Sequence, residues 1–281
     1  MLDQRLAYTQ TNGSEELRSR IASLYPGASA DSVQVSNGGS EAIFTSCWHL
    51  MEPGSELVVV VPNYPQVLGL AAGFGGKAVL CPLEPDFGEG KDGGWVLDLD
   101  RLRDSMTEKT RLIAICTPNN PTGSVLSDSE LDAITTLARE HDCWVLSDEI
   151  YRGSEHDGEL SPTMWGRYEK LILISGMSKA YGLPGLRIGW AVSTPEMATE
   201  LWRRRDYTTI APTALGDLLA RKALEPETRG RLLDRTRTIS AQNYQFLVDW
   251  AEQNQDLLAW SRPAAGAFVF AAYSANVPSV E

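Results

Sequence analysis

Several short apolar runs in this 281-residue chain end in side chains suited to chemistry. Ser36-Asn37-Gly38-Gly39-Ser40 precedes a helix-period segment. Its glycines leave backbone N–H groups bare, and a helix N-terminus adds the positive end of a dipole, so Gly39 and Ser40 suit an anion; an ordinary turn explains the glycine pair equally well. Later runs end in Pro62-Asn63-Tyr64-Pro65, in Thr117-Pro118-Asn119-Asn120-Pro121-Thr122-Gly123 and in Ser147-Asp148-Glu149-Ile150-Tyr151. A further run ends in Ser175-Gly176-Met177-Ser178-Lys179, with Arg187 eight residues on. An aromatic ring, an amide, a carboxylate, a phenol, a lysine and an arginine therefore collect at successive strand tips. Singly, each has a plainer reading: NPTG makes a turn, Asp148 caps a helix, Lys179 is solvated surface. Together they lie where an open α/β sheet binds its ligands, beyond the carboxyl ends of the strands.

The elements that position them alternate. Candidate strands are Ser32–Val35, Leu57–Val61, Lys77–Pro82, Leu112–Cys116, Cys143–Ser147, Leu171–Ser175 and Arg187–Val192. Continuous Val/Ile/Leu blocks suit strands buried on both faces of a mostly parallel sheet. Helices are expected at Ser14–Leu24, at Ser40–Met51 and at Ser127–Glu140, the last opening on a cap-like S-D-S-E. After Val192 come Pro195–Arg205, Thr213–Ala223 and a long run from Glu227 to about Gln255, then a strand-like Gly266–Ala271. The expected fold is α/β: a mostly parallel seven-stranded sheet with helices on both faces, plus the beginning of a small C-terminal α/β domain. The expected division is 1–230 for the large domain and 231–281 for the long helix and an incomplete second one.

Composition narrows the partners. Against 37 acidic side chains stand 25 basic ones, a net charge of −12, which disfavours nucleic acid and anionic membrane. Cys47, Cys81, Cys116 and Cys143 have no metal-ligand spacing, and with no apolar leader at the N-terminus a reduced, cytoplasmic protein is expected. Gly73–Lys77 is not a phosphate loop, because Ala71 and Ala78 fill the positions of its first glycine and its hydroxyl. No nucleophile elbow exists around Ser40, no S-x-x-K precedes Lys179, and His49, His141 and His156 show no metal pattern.

The phrases NNPTG (Asn119–Gly123), SDEIY (Ser147–Tyr151) and SKAYGLPGLRIGW (Ser178–Trp190) resemble, in order and spacing, the class I/II aminotransferases. These are pyridoxal-phosphate enzymes of fold type I, and the resemblance runs from Tyr8 to about Phe270. It implies pyridoxal 5′-phosphate as cofactor and amino-group transfer between an amino acid and a 2-oxo acid. Lys179 then supplies the Schiff-base amine and moves the proton at the α-carbon. Asp148 is implied as partner of the pyridinium nitrogen, Tyr151 and Asn120 as partners of the ring oxygen, and Tyr64 as the ring that stacks on the cofactor. Gly39, Ser40, Ser178 and Arg187 are implied as the phosphate cradle. Tyr8 is implied to reach the phosphate of a partner subunit, which makes the protein a homodimer with shared sites.

Three departures accompany the resemblance. Gly176 stands where the family usually has a serine three residues before the lysine. Met1 lies close to Tyr8. The chain ends soon after Pro263–Phe270, before the domain that supplies the arginine for the substrate carboxylate, so a truncated product is expected and that arginine is unmatched. Other reactions from the same cofactor residues therefore stay open. They are elimination or decarboxylation, oxidising or cyclising chemistry on a basic amino acid, and a non-catalytic cofactor-binding role.

Overall fold

The computed structural model describes residues 7–85, 94–253 and 258–273. Its centre is an eight-stranded sheet: β1 (Val33–Ser36), β2 (Glu56–Val61), β3 (Lys77–Pro85), β4 (Trp95–Leu97), β5 (Thr110–Cys116), β6 (Trp144–Asp148), β7 (Leu171–Gly176) and β8 (Gly189–Val192). The spatial order is β1-β8-β7-β6-β5-β2-β3-β4. Strands β7, β6, β5, β2 and β3 run parallel, whereas β8 is antiparallel to both neighbours and β4 to β3. All seven expected strands are present within a few residues of their expected ends.

The eighth strand corrects the expected count. Trp95–Leu97 is held by three residue pairs to β3 and stops at Asp98, whose side chain caps the next helix. Three residues are too few to display a period. Gly266–Ala271 also differs: it forms no strand. Its first residue, Gly266, bonds to the Ser154 carbonyl, and the residues just before it, Ala264 and Ala265, bond to Gly123, with an isolated bridge between Ala265 and Glu155. A short pair, β9 (Leu258–Ala259) with β10 (Ala272–Tyr273), flanks it.

Alternation along the buried strands feeds two cores. Val58, Val60, Ile113, Ile115, Leu171 and Leu173 face one side, where they meet α1 (Glu15–Ala22), α4 (Leu99–Asp104), α5 (Asp128–Glu140) and α7 (Ala214–Ala223). Leu57, Val59, Leu112, Ala114, Ile172 and Ile174 face the other, against α2 (Gly39–Leu50), α3 (Gln66–Gly73) and α6 (Pro195–Arg205). Each fully buried aliphatic side chain contributes about 1.5–3 kcal/mol, so this double layer supplies the rigidity that the strand tips inherit. The expected cap of α5 is real: Ser127 and Glu130 satisfy each other's backbone N–H groups. A long helix, α8 (Pro226–Glu252), leans on the first layer through Leu233. All four cysteines are buried and free, and among the described residues no helix is long and apolar enough to cross a membrane.

Candidate active site

Sheet order brings the expected residues to one edge. Antiparallel β8 lies between β1 and β7, pairing Gly189 with both Ser36 and Gly176. The Asn37–Ser40 turn therefore stands beside the Gly176–Lys179 turn. Gly189 packs so tightly on the first of these that an added Cβ would lie 2.3 Å from the Gly39 nitrogen and 2.4 Å from the Gly38 carbonyl carbon. Gly176 is confined in the same way, 2.9 Å from the Ile188 oxygen. The missing serine at position 176 thus has a steric reason here: a side chain would strike the neighbouring strand.

Arg187 completes this corner. It ends a short turn with φ 53°, a left-handed conformation that costs a non-glycine residue about 1–2 kcal/mol and marks a position held for a purpose. Its guanidinium donates to the carbonyls of Pro184 (3.2 Å) and Asn37 (3.4 Å) and lies against Gly38. The hydroxyls of Ser40 and Ser178 form no hydrogen bond with a described residue, so two O–H groups, the start of α2 and an exposed guanidinium all remain to be met.

The next tips form the floor and wall. Cys116 of β5 is in register with Asp148 of β6. The Asn119 amide donates to the Pro62 carbonyl at 3.0 Å, tying the β5 tip to the β2 tip that carries half-exposed Tyr64. Asn120 Nδ2 donates to the Tyr151 hydroxyl at 3.4 Å. Lys179 Nζ stands 5.9 Å from the centre of the Tyr151 ring and has no ion pair with a described residue.

Burial dominates the electrostatics of these strand tips. Burial raises the Asp148 carboxyl to about 6, against the Ile150 N–H and the Lys179 ammonium, which lower it. Burial, with Cys116, Asp148 and Tyr64 nearby, pushes the Tyr151 phenol up, so it remains a hydrogen-bond donor at neutral pH. Neighbouring Glu149 is fully enclosed and is raised to about 7 by burial; it accepts from Met164 N (2.8 Å), Thr163 Oγ1 (2.7 Å) and Ser147 Oγ (3.1 Å). Sequence reading quoted Glu149 only as part of its phrase; nothing in one chain distinguishes a solvated glutamate from one anchoring a loop beneath the site.

The raised carboxyls give a signed prediction. Between about pH 4 and 6, folded Asp148 holds a proton that the unfolded chain has released, so stability declines as pH rises; Glu149 extends the decline to about 7. Asp148→Asn is expected to stabilise the ligand-free protein at pH 7.5 by about 1–2 kcal/mol while leaving its stability at pH 4 unchanged. Urea titrations at both pH values check this, and equal or lower stability of the variant at pH 7.5 refutes it.

Tyr8 lies elsewhere. It is 85% exposed, on a surface groove it shares with Ala211–Leu215. Thr9 Oγ1 donates to the Pro212 carbonyl and fixes that strand of chain. Among the described residues no contact joins Tyr8 to Lys179, Tyr151 or Asp148.

Residues 2–277 match the pattern of class I and II aminotransferases, and the chain belongs to that family. It is 29% identical to capreomycidine synthase of Streptomyces vinaceus over 94% of its own length and 66% of that protein's. It is 30% identical to the aspartate/prephenate aminotransferase of Thermus thermophilus over 80% of its own length. That match takes in 58% of the Thermus enzyme, so the chain spans less than two thirds of both relatives. A crystal structure of a PLP-dependent aminotransferase from Streptococcus suis superposes with a TM-score of 0.89 and 30% identity, covering 99% of this chain and 71% of that one.

Proposed function

We propose that the protein binds pyridoxal 5′-phosphate at the strand tips around Lys179 and transfers an amino group from an amino acid to a 2-oxo acid. The observation that carries this is the Lys179 amine above the Tyr151 ring, without an ion pair among the described residues and with the Asp148 carboxyl close enough to feel its charge. The residues present fit the cofactor. Gly39, Ser40, Ser178 and Arg187 offer donors to a phosphate, where Cβ atoms on Gly38 or Gly189 would obstruct them. Asp148 would ionise opposite a pyridinium nitrogen, Asn120 and Tyr151 would donate to the ring oxygen, and Tyr64 would cover a ring face. Bound there, the cofactor supplies a carbonyl for amines and a conjugated ring that accepts electrons from the α-carbon. Lys179 Nζ moves the proton at that carbon, Tyr151 and Asn120 orient, and Asp148 holds a negative charge where positive charge must persist.

The reading extends to 1–230 as the cofactor-binding unit and 231–281 as the start of a second one. It also includes a homodimer, because an aromatic ring as exposed as Tyr8 is suited to a second copy's phosphate. A reduced cytoplasmic setting is supported by the four buried thiols. A second reading, a cyclising synthase, is favoured by the likeness to capreomycidine synthase.

Purified protein mixed with pyridoxal 5′-phosphate is expected to develop a visible band that borohydride fixes covalently to Lys179, as read by peptide mass. ¹⁵N-labelled amino acids offered singly with a 2-oxo acid then separate the reactions. Label in a new amino acid supports transfer, labelled ammonia indicates a lyase, and a cyclised product retaining its label indicates a synthase. No band and no modification of Lys179 would overturn the cofactor assignment.

A further inference from the structure

His156 has no part in the reaction described above, and it stands on a loop whose sequence shows no motif. Its surroundings give it a task. The segment Pro263–Phe268 is bonded to the loops that follow β5 and β6. Ala264 N (2.9 Å) and Ala265 N (3.2 Å) donate to the Gly123 carbonyl, and Gly266 N donates to the Ser154 carbonyl at 3.2 Å. The approach at Gly123 is very close: φ there is +69°, and a Cβ would lie 2.4 Å from that of Pro263. The segment ends by setting the Phe268 ring edge-on to Tyr151, with centroids 5.3 Å apart.

His156 closes this strap. Its backbone N–H donates to the Ala264 carbonyl at 2.9 Å, and its ring Nε2 lies 2.8 Å from the Gly266 carbonyl. A carbonyl only accepts, so the proton sits on Nε2. Nδ1 is buried with no hydrogen-bond partner among the described residues, and the ring packs 6.0 Å from that of Tyr244 on α8. One side chain thus links the Tyr151 loop, the strap and the long helix.

Resting on the cofactor reading, we propose that His156 is a positioning residue for Tyr151: by holding the Gly266 carbonyl it seats Phe268 against the phenol that faces Asn120 and Lys179. The reach of the imidazole Nε2 is matched by a glutamine amide and not by alanine, which makes the role separable from packing alone.

The test uses the full-length protein as wild type, His156→Ala, His156→Gln and Phe268→Leu. In ligand-free protein, amide exchange at Ala264–Gly266 is expected to quicken by roughly five- to tenfold in His156→Ala, the loss of one hydrogen bond, and to return to wild type in His156→Gln. With pyridoxal 5′-phosphate bound, His156→Ala and Phe268→Leu are expected to shift the visible maximum and to speed cofactor release by several-fold, with His156→Gln near wild type. Unchanged exchange in His156→Ala, or failure of His156→Gln to restore it, overturns the strap. Normal spectra in Phe268→Leu overturn the link to Tyr151. Should His156→Ala fail to fold, Gln and Leu still decide between these outcomes. A wild type without a visible band refutes the cofactor reading and with it the link to Tyr151, while the exchange arm still decides the strap.

Discussion

Lys179→Ala protein is expected to fold normally, to lose borohydride-fixable cofactor completely and to lose amino-group transfer by roughly 10³–10⁴-fold. The side chain is exposed and makes no hydrogen bond or ion pair with a described residue, so its removal changes stability by only about 0.5 kcal/mol. Chemistry and folding are therefore separable at this position. The amine also lowers the Asp148 carboxyl, and its removal leaves that group still higher than about 6. The variant should consequently hold the cofactor weakly as well as non-covalently. Peptide mass after borohydride, thermal melting and ¹⁵N transfer measured together check it. Covalent cofactor in the alanine variant, or substantial transfer without it, would remove Lys179 from its assigned role.

Gly189→Ala is expected to be the most damaging small substitution at the site. The added methyl would meet backbone atoms of Gly38 and Gly39 rather than the flexible end of a side chain. Relief requires moving the first turn of α2 away from β8, a cost of about 3 kcal/mol and a fall of roughly 6–12 °C in melting temperature. Displacement of that turn also carries the Gly39 and Ser40 donors away from Arg187, so cofactor affinity should drop even at temperatures where the protein is folded. Gly185→Ala is the control: nothing lies within 4 Å of its Cβ position, and its melting temperature should match wild type. A Gly189→Ala protein with wild-type stability would contradict the close packing of β8 on α2.

Much of this was legible in the residues. Buried parallel strands announce themselves as apolar blocks, and β5, β6 and β7 appeared with their reactive tips already in place. The strand–helix alternation sufficed to forecast helices on both faces. Hidden features were those set by tertiary pairing. Trp95–Leu97 is a strand only because β3 offers an edge, and Gly266–Ala271 reads as a strand yet enters from Ala264 and Ala265 bonded to Gly123 and gives its own first N–H to Ser154. The same holds within the site. Lys179, Asp148, Asn120, Tyr151 and Arg187 follow telling phrases. Glu149 and His156 take their importance from burial and from partners distant in sequence. Gly176 looked like a lost hydroxyl until its neighbour across the strand pair, Gly189, supplied the reason.

The position of β8 between β1 and β7 also sets a timetable for biosynthesis. The turn at Asn37–Ser40 is synthesised before its walls, Gly189 and Arg187, which lie some 150 residues later in the chain. Closing so long a loop is slow, and the strands made in the interval can pair among themselves first. A nascent chain paused before Gly189 would carry the Asn37–Ser40 turn with nothing opposite it. On the proposed reading, cofactor capture waits for β8 to pair with β1, when both halves have met.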